Sequence, residues 1–343
     1  MGQVVPSSGN HFTPRFITKK LGRQPRVIDD TGMPHKPSRK RTTKKTPSRP
    51  REGRIHPVIT YPFGHPADLV DLEHLYGMIA RLDSDRATYA RPITIVDRKT
   101  RDAMSKSKRH VQFHQKTVAA CSDIIDAWCV DTCQMWYTGL GEAFDRGRRG
   151  DTYWLIPGDF NYGSPIGRDL LGHLHDLPEI CDELDQDVCI GEIHTDHNNS
   201  KQLIDDYGTF ALLYNWFPAE AQAIREFTER PRSEFFAIRH DFLKQMLHRR
   251  WYAYAQTVVI LLHAIFDHKP VSRYFVGEVT DLRDGKDSLS SAMQQIERTE
   301  RVLKTLWRER NHAKTDWAQQ YSRLEDQSGQ LRKTAFTILG NLL

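Results

Sequence analysis

The chain has 343 residues and a net charge of +5, with 38% hydrophobic and 27% charged residues, which fits one large α/β domain or a domain with an extension. The positive charge is local, because residues 36–54 hold nine Lys or Arg and one Glu, so that the rest of the chain sums to −3. This distribution excludes a basic surface over the whole fold of the kind that many nucleic-acid-binding proteins have.

Cysteine usage and hydropathy indicate the cellular setting. Five cysteines, an odd number without a CxxC pair, argue against a disulfide framework or a zinc knuckle and favour buried free thiols. The N-terminus lacks the apolar core of a signal peptide, and the longest apolar run, residues 252–266, is too short to cross a bilayer. We therefore expect a cytoplasmic protein, with peripheral attachment to a membrane as the alternative.

Residues 1–54 are predicted to form a disordered basic arm. Pro, Ser, Thr, Lys and Arg dominate this segment, and no apolar periodicity is present. Such an arm either solubilises the protein or binds an anionic partner, for which RNA, an acidic protein and an anionic membrane face are the alternatives.

From residue 55 onward, short apolar runs alternate with amphipathic segments, which predicts a mostly parallel sheet covered by helices on both faces. The predicted strands are residues 58–61, 93–96, 111–113, 153–156, 188–191 and 274–279. The predicted helices are residues 67–82, 117–144, 169–184 with a break near Pro178, 200–216, 219–229, 241–247, 251–266 and 288 to the end.

The C-terminal helical region, residues 288–343, carries an apolar stripe. Ile296, Leu303, Leu306 and Trp307 recur at helical spacing. A stripe of this kind packs either on the preceding domain or on a second copy of the chain. The sequence therefore predicts a helical extension, with a homodimer through these helices as one outcome.

Residues suited to binding a nucleotide follow the first two predicted strands. In open α/β sheets, ligands bind beyond the carboxyl ends of the strands. The first strand ends in Tyr61, Pro62 and Phe63, a turn whose aromatic residues can stack on a base. The second ends in Asp97, which can hydrogen-bond a ribose or a base edge.

A candidate metal site follows the strand at residues 153–156. Asp159 supplies a carboxylate, and Asn161 supplies an amide oxygen at the next position on the same side. Mg²⁺ or Mn²⁺ prefers such oxygen ligands and typically joins one or two carboxylates to substrate phosphates. For a single Asp at a strand end, a helix cap is the alternative interpretation.

Several segments, taken in order, resemble the family-2-like glycosyltransferases of the GT-A fold, including the polyprenyl-phosphate sugar transferases. Asp159-Phe160-Asn161 stands where that family has its D-x-D motif, with Asn161 in place of the last acid, and Gln256 stands where relatives often have Glu. The similar segments are residues 58–62, 95–97, 137–143, 159–161, 188–191, 233–239, 251–265, 277–279 and 283–288.

The resemblance implies a GT-A domain over residues 55–287 that transfers a sugar from a UDP- or GDP-sugar to an acceptor, with inversion and with help from Mg²⁺ or Mn²⁺. An acceptor hydroxyl would need a carboxylate as general base, for which Glu234 and Asp196 are the candidates. If the acceptor is instead a phosphate, Arg283 and Lys286 are expected to hold phosphate groups. The sequence identifies neither the sugar nor the acceptor.

Two other functions are compatible with parts of the sequence. A nucleotidyltransferase has a similar sheet and also uses a divalent metal ion. A Gly-rich loop with a Lys after the first strand would favour that activity, but the turn here has one Gly and no Lys. A nucleic-acid or protein binding module with a repurposed GT-A fold would account for the basic arm and for Asn161 and Gln256. His194-Thr195-Asp196-His197 lacks the helical spacing of a zinc motif, so a polar loop is the preferred interpretation.

Overall fold

In this computed structural model, the described residues are 16–18, 53–62, 68–129, 132–195, 200–248, 256–279 and 285–341.

Eight strands of the described residues form one sheet, in the order β1-β8-β6-β7-β5-β2-β3-β4. Of these strands, β7 alone runs antiparallel to its neighbours β5 and β6. The structure confirms the predicted mostly parallel α/β architecture. The strands are β1 (Phe16–Thr18), β2 (Ile55–Thr60), β3 (Ile93–Asp97), β4 (Asp123–Ala127), β5 (Thr152–Pro157), β6 (Val188–Thr195), β7 (Phe235–Arg239) and β8 (Val271–Val279).

Helices cover both faces of this sheet. Tyr76 from the first helix reaches Thr94 of β3, with 3.1 Å between the two hydroxyl oxygens. On the opposite face a helix packs so closely that a Cβ at Gly139 would lie 2.6 Å from Val58 Cγ1. The helices are α1 (Leu69–Ser84), α2 (Arg98–Ser105), α3 (Lys108–Phe113), α4 (Ala119–Cys121), α5 (Thr132–Arg146), α6 (Pro165–Leu174), α7 (Asp176–Glu183), α8 (Ser200–Trp216), α9 (Pro218–Phe227), α10 (His240–Leu247), α11 (Gln256–Phe266), α12 (Gly285–Asn311) and α13 (Trp317–Asn341), with a π-helix at His114–Val118.

The predicted C-terminal stripe is buried against the domain. Helices α12 and α13 pack on α8, where the ring of Trp216 lies 6.1 Å from that of Trp307 and 5.5 Å from that of Tyr321. The buried carboxylate of Glu300 on α12 accepts hydrogen bonds from Ser328 Oγ on α13 at 2.7 Å and from Arg332 at 2.9 Å. The domain boundary predicted after residue 287 falls inside α12. The homodimer stays a prediction.

Two predicted elements between β3 and β5 are wrong. Residues 111–113, predicted as a strand, are the end of α3, and the predicted helix 117–144 contains β4. β4 is an edge strand paired with β3 alone, and its adjacent Ile124 and Ile125 conceal the alternation expected of a strand. The acidic residue Asp123 of β4 forms ion pairs with Arg91 and Arg146, each at 2.6 Å, and both arginines lie far from it in sequence.

Other predictions concern the arm, the thiols and the membrane. Within the predicted arm, the backbone of Phe16–Thr18 pairs with β8. All five cysteines are free and buried, which confirms the expectation from their number and spacing. No described helix combines the length and the apolar character needed to span a bilayer.

Candidate active site

The strand ends predicted to bind ligands meet at one edge of the sheet, here called the carboxyl edge. Thr60 of β2 pairs with Ile95 of β3 on one side and with Pro157 of β5 on the other. Residues that follow these strands therefore lie side by side. β7 is antiparallel, so its amino end and the preceding Glu234 lie at the same edge, between the ends of β5 and β6.

Four predicted site residues cannot be placed in full. Phe63, Asp196 and Arg283 lie outside the described residues, and Lys286 is in the first turn of α12, where only the backbone is described. In the sequence, Asp196 directly follows the last residue of β6. The roles assigned to these residues stay predictions.

The turn after β5 is fixed by close backbone packing. A Cβ at Gly158 would lie 2.3 Å from the carbonyl oxygen of Thr60, so glycine lets the end of β5 approach the end of β2. The Tyr162 hydroxyl donates to the carbonyl of Pro157 at 2.5 Å, and the Gly163 N–H donates to Asp71 Oδ1 at 2.6 Å. Asp159 thus emerges from a turn that is anchored on both sides.

The same turn leads directly into α6. Ser164 caps the helix by accepting the Gly167 N–H at 2.9 Å, and its hydroxyl donates to the carbonyl of Asn161 at 2.8 Å. The backbone of Asn161 is therefore held by the start of the helix. Its side chain is half-buried, as is that of Asp159 two residues earlier.

Tyr162 is buried beneath the turn after β5. Burial raises the pKa of Tyr162 well above its usual value, and the charges of Asp159, Glu234 and Asp71 raise it further. The rings of Phe160 and Phe235 lie 4.8 Å apart, which ties the turn after β5 to the start of β7. The structure therefore brings the predicted metal ligand Asp159 and the predicted base Glu234 together, although they are far apart in sequence.

The donor set at this turn fits a hard divalent cation, because Asp159 offers a carboxylate and Asn161 an amide oxygen. Within the described ranges, no group of three or more His, Cys, Asp or Glu side chains is arranged to hold a metal ion. A protein site with one or two carboxylates, completed by substrate phosphates, is the usual arrangement for Mg²⁺.

Tyr61 and Pro62 are buried at the end of β2. The ring of Tyr61 contacts Tyr76 at 6.4 Å and His114 at 6.0 Å between ring centres, and burial raises the pKa of its phenol. The carbonyl of Pro62 accepts the Thr100 hydroxyl at 3.2 Å. This packing does not favour the predicted stacking of Tyr61 on a base, which stays a prediction.

Asp97 is fully buried and acts as a helix cap. One carboxylate oxygen accepts the N–H of Thr100 at 3.2 Å at the start of α2, and the other accepts the N–H of Cys129 at 3.2 Å. The carboxylate thereby joins the end of β3 to the segment that follows β4. Its contact with a ribose or base stays a prediction. The observed hydrogen bonds give Asp97 a structural role as a helix cap and as a link to Cys129.

Sequence reasoning missed an exposed aromatic residue at the carboxyl edge. Trp128 follows β4, is 64% exposed, and has the guanidinium of Arg98 5.0 Å from its ring centre. It was overlooked because β4 itself was not predicted. A Trp three residues after the β-branched pair Ile124 and Ile125 is the signal in the sequence that could have indicated it.

A cleft of about 350 Å³ lies beside β6 and β8. Within it, Arg273 pairs with Glu192 at 3.0 Å, and Glu192 also accepts the Thr228 hydroxyl at 2.9 Å. Arginines and glutamates are equal in number around the cleft, so its formal charge favours neither anions nor cations. Its lining residues are Glu192, Ile193, Arg225, Glu226, Thr228, Glu229, Arg230, Arg273 and Phe275.

Comparisons with known proteins bear on the fold. No protein-family model matches the sequence, and no curated protein is significantly similar to it. Among solved structures, the chain is similar to glucosyl-3-phosphoglycerate synthase from Mycobacterium tuberculosis. With the complex of Mn²⁺, UDP-glucose and phosphoglyceric acid it shares 13% identity at a TM-score of 0.50, over 73% of this chain and 79% of that one.

A second complex of the same synthase, with Mn²⁺, UDP and glucosyl-3-phosphoglycerate, gives the same identity and TM-score over 74% of this chain and 79% of that one. At this level of identity the likeness concerns the architecture. The strand order, the acidic turn after β5 and these two similarities together show that the chain has the GT-A fold.

Proposed function

We propose that this protein is a glycosyltransferase that uses a nucleoside-diphosphate sugar and Mg²⁺ or Mn²⁺. The observation that carries the proposal is the placement of Asp159 and Glu234 at the carboxyl edge of a GT-A sheet, where the rings of their sequence neighbours Phe160 and Phe235 lie 4.8 Å apart. The similar synthase, which was crystallised with Mn²⁺ and UDP-glucose, supports this class of donor.

Asp159 and Asn161 would hold the cation. When bound, the cation supplies Lewis-acid neutralisation of the diphosphate that leaves the sugar. Hydrogen bonds to the carbonyls of Pro157 and Asn161 hold the backbone of this turn, which would reduce its reorganisation on binding. Lys286 and Arg283, which follow β8, would contact phosphate groups of the donor or of an anionic acceptor.

Glu234 is the proposed general base. Its carboxylate is half-buried beside the turn that carries Asp159, where it can take the proton of an acceptor hydroxyl. The acceptor oxygen then bonds to the anomeric carbon while the bond from that carbon to the diphosphate oxygen breaks. The neighbouring rings of Phe160 and Phe235 form an apolar wall that would limit access of water to this step. Asp196, after β6, is the alternative base.

Calorimetry with UDP, GDP and their glucose and mannose conjugates, each with Mn²⁺, tests the proposal. The wild-type protein should bind one nucleotide in a manner that needs the metal, and Asp159→Ala should lose that binding. The matched control is Asp169→Ala, since this α6 carboxylate is 76% exposed. A wild-type protein that binds none of these ligands would overturn the proposal, as would an Asp159→Ala variant with unchanged affinity.

A further inference from the structure

Trp128 is the most exposed of the large hydrophobic side chains in the described part of the chain, at 64%. It stands at the carboxyl edge, directly after the last residue of β4. An exposed indole offers a large flat apolar surface to a ligand and loses little conformational freedom on binding.

The surroundings of Trp128 hold it in place without covering it. The next residue, Cys129, donates its backbone N–H to the buried carboxylate of Asp97 at 3.2 Å. Arg98, the residue after Asp97, places its guanidinium 5.0 Å from the indole centre, in a cation–π contact. One face of the ring is therefore occupied by Arg98, and the 64% exposure leaves the other face to solvent.

The position of Trp128 suits one end of a nucleotide whose other end lies at Asp159. Strand β4 is three places from β5 in the sheet, with β3 and β2 between them, which corresponds to about 14 Å at the usual strand spacing. An extended nucleoside diphosphate covers a comparable distance from its base to its terminal phosphate. Tyr61, the aromatic residue that the sequence suggested for stacking, lies between these points but is buried.

We propose that Trp128, backed by Arg98, stacks on the base of the nucleoside diphosphate. The inference deepens the proposed function and rests on it. Stacking on an aromatic face accepts any base, since every base has such a face, so the pair would set affinity for the nucleotide rather than identify its base.

The experiment compares wild-type protein with Trp128→Ala, Trp128→Tyr and Phe275→Ala. Phe275 on β8 is the matched control, because its ring is also 50% exposed but lies at the other side of the sheet. Calorimetry measures binding of UDP, GDP and inorganic pyrophosphate with Mn²⁺, and circular dichroism checks that each variant is folded.

Trp128→Ala should weaken the binding of UDP or GDP about 5- to 150-fold, the range that loss of one base–aromatic stack gives. Trp128→Tyr should restore most of the affinity, and Phe275→Ala should leave it unchanged. Pyrophosphate, which has no base, should bind the wild type and Trp128→Ala equally. Nucleotide should also quench the tryptophan emission of the wild type more than that of Trp128→Tyr.

The outcomes separate this inference from the proposed function. Nucleotide binding that depends on Asp159 but is equal in the wild type and Trp128→Ala would overturn the stacking role and leave the glycosyltransferase proposal standing. An equal loss of pyrophosphate and nucleotide binding in Trp128→Ala would also overturn it, because the residue would then act on the phosphate end. If the wild type binds no nucleotide, both proposals fail.

Discussion

The two edges of the sheet use their polar residues differently. At the amino edge, Asp151 accepts the backbone N–H groups of Arg54 and Arg148 at 2.8 and 2.9 Å and the Nε2 of His56 at 2.8 Å. Asp151 and His56 are buried there. At the carboxyl edge, Asp159 and Glu234 are half-buried, and the turn that carries Asp159 is anchored by the Tyr162 hydroxyl and by Asp71.

The difference indicates where stability and binding reside in this fold. A buried acid that is enclosed by donors on several sides contributes to stability, and its loss leaves those donors without an acceptor. An acid that is half-buried at the end of a strand lies where ligands bind in open α/β sheets, so its carboxylate can take part in binding. Substitutions at the two edges should therefore change different properties.

The largest expected effect is on catalysis at the carboxyl edge. Glu234→Gln removes the proposed base and should lower the turnover number by about 10²- to 10⁴-fold, while the affinity for nucleotide and the thermal midpoint stay near those of the wild type. Steady-state transfer assays with the donor found by calorimetry measure this. Glu229→Gln, an exposed acid in the same connection before β7, is the control. Full activity of Glu234→Gln would show that another group is the base, and Asp196 would be the next residue to test.

The next effect is on stability at the amino edge. Asp151→Ala removes the acceptor of two backbone N–H groups and of the buried His56, and it should lower the free energy of unfolding by about 3 kcal/mol. Urea denaturation measures the loss, and Asp169→Ala should change the midpoint little. Nucleotide affinity of the folded variant should match that of the wild type. A destabilisation no larger than that of Asp169→Ala would show that the enclosed carboxylate is not a structural centre.

This contrast could be predicted from the sequence only in part. The runs ending at Tyr61, Asp97 and Asp159 are fully buried parallel strands, whose apolar character is local and visible, so the placement of their ends at one edge was predictable. Whether each side chain at these strand ends binds a ligand or stabilises the fold could not be predicted. Asp97 is committed to the N–H of Cys129, 32 residues later, and no local pattern reports such a contact.

Trp128 and β7 illustrate a second limit. β4 is a short edge strand whose acids are neutralised by arginines distant in sequence, and β7 reverses the direction of the sheet. Both depend on partners across the fold rather than on periodicity. The stacking residue and the exact neighbours of Glu234 therefore became visible only in the structure.

A substitution in the turn after β5 should have a smaller effect, and it should change both stability and nucleotide binding. Gly158→Ala places a Cβ 2.3 Å from the Thr60 carbonyl, so the ends of β2 and β5 must separate. We expect a loss of about 1–3 kcal/mol in the free energy of unfolding together with weaker metal-dependent nucleotide binding. Gly172→Ala on α6 is the control, since its Cβ meets nothing within 4 Å and should stabilise the helix by about 0.5–1 kcal/mol. Unchanged binding in Gly158→Ala would separate this turn from the site.

The smallest expected effect is a pH dependence that belongs to the amino edge. Burial lowers the pKa of His56 below its usual value, so protonation favours the unfolded chain, and stability should fall as pH drops below about 6.5 toward the lowered folded-state pKa. Burial by itself would raise the pKa of Asp151, but its hydrogen bonds from Arg54, Arg148 and His56 lower it overall. The contribution of Asp151 to the free energy of unfolding is therefore present above its usual pKa and is lost only in stronger acid.

Urea denaturation from pH 8 to pH 5 should show a slope of at most about 1.4 kcal/mol per pH unit for one titrating group. His56→Asn should flatten that slope, since the group that takes up the proton is gone, whereas Glu234→Gln at the other edge should leave it as in the wild type. Equal slopes for the wild type and His56→Asn would mean that another buried group accounts for the pH dependence. His240 would be the first to examine, because burial also lowers its pKa and its Nδ1 lies 2.8 Å from the hydroxyl of Tyr153 at the same edge.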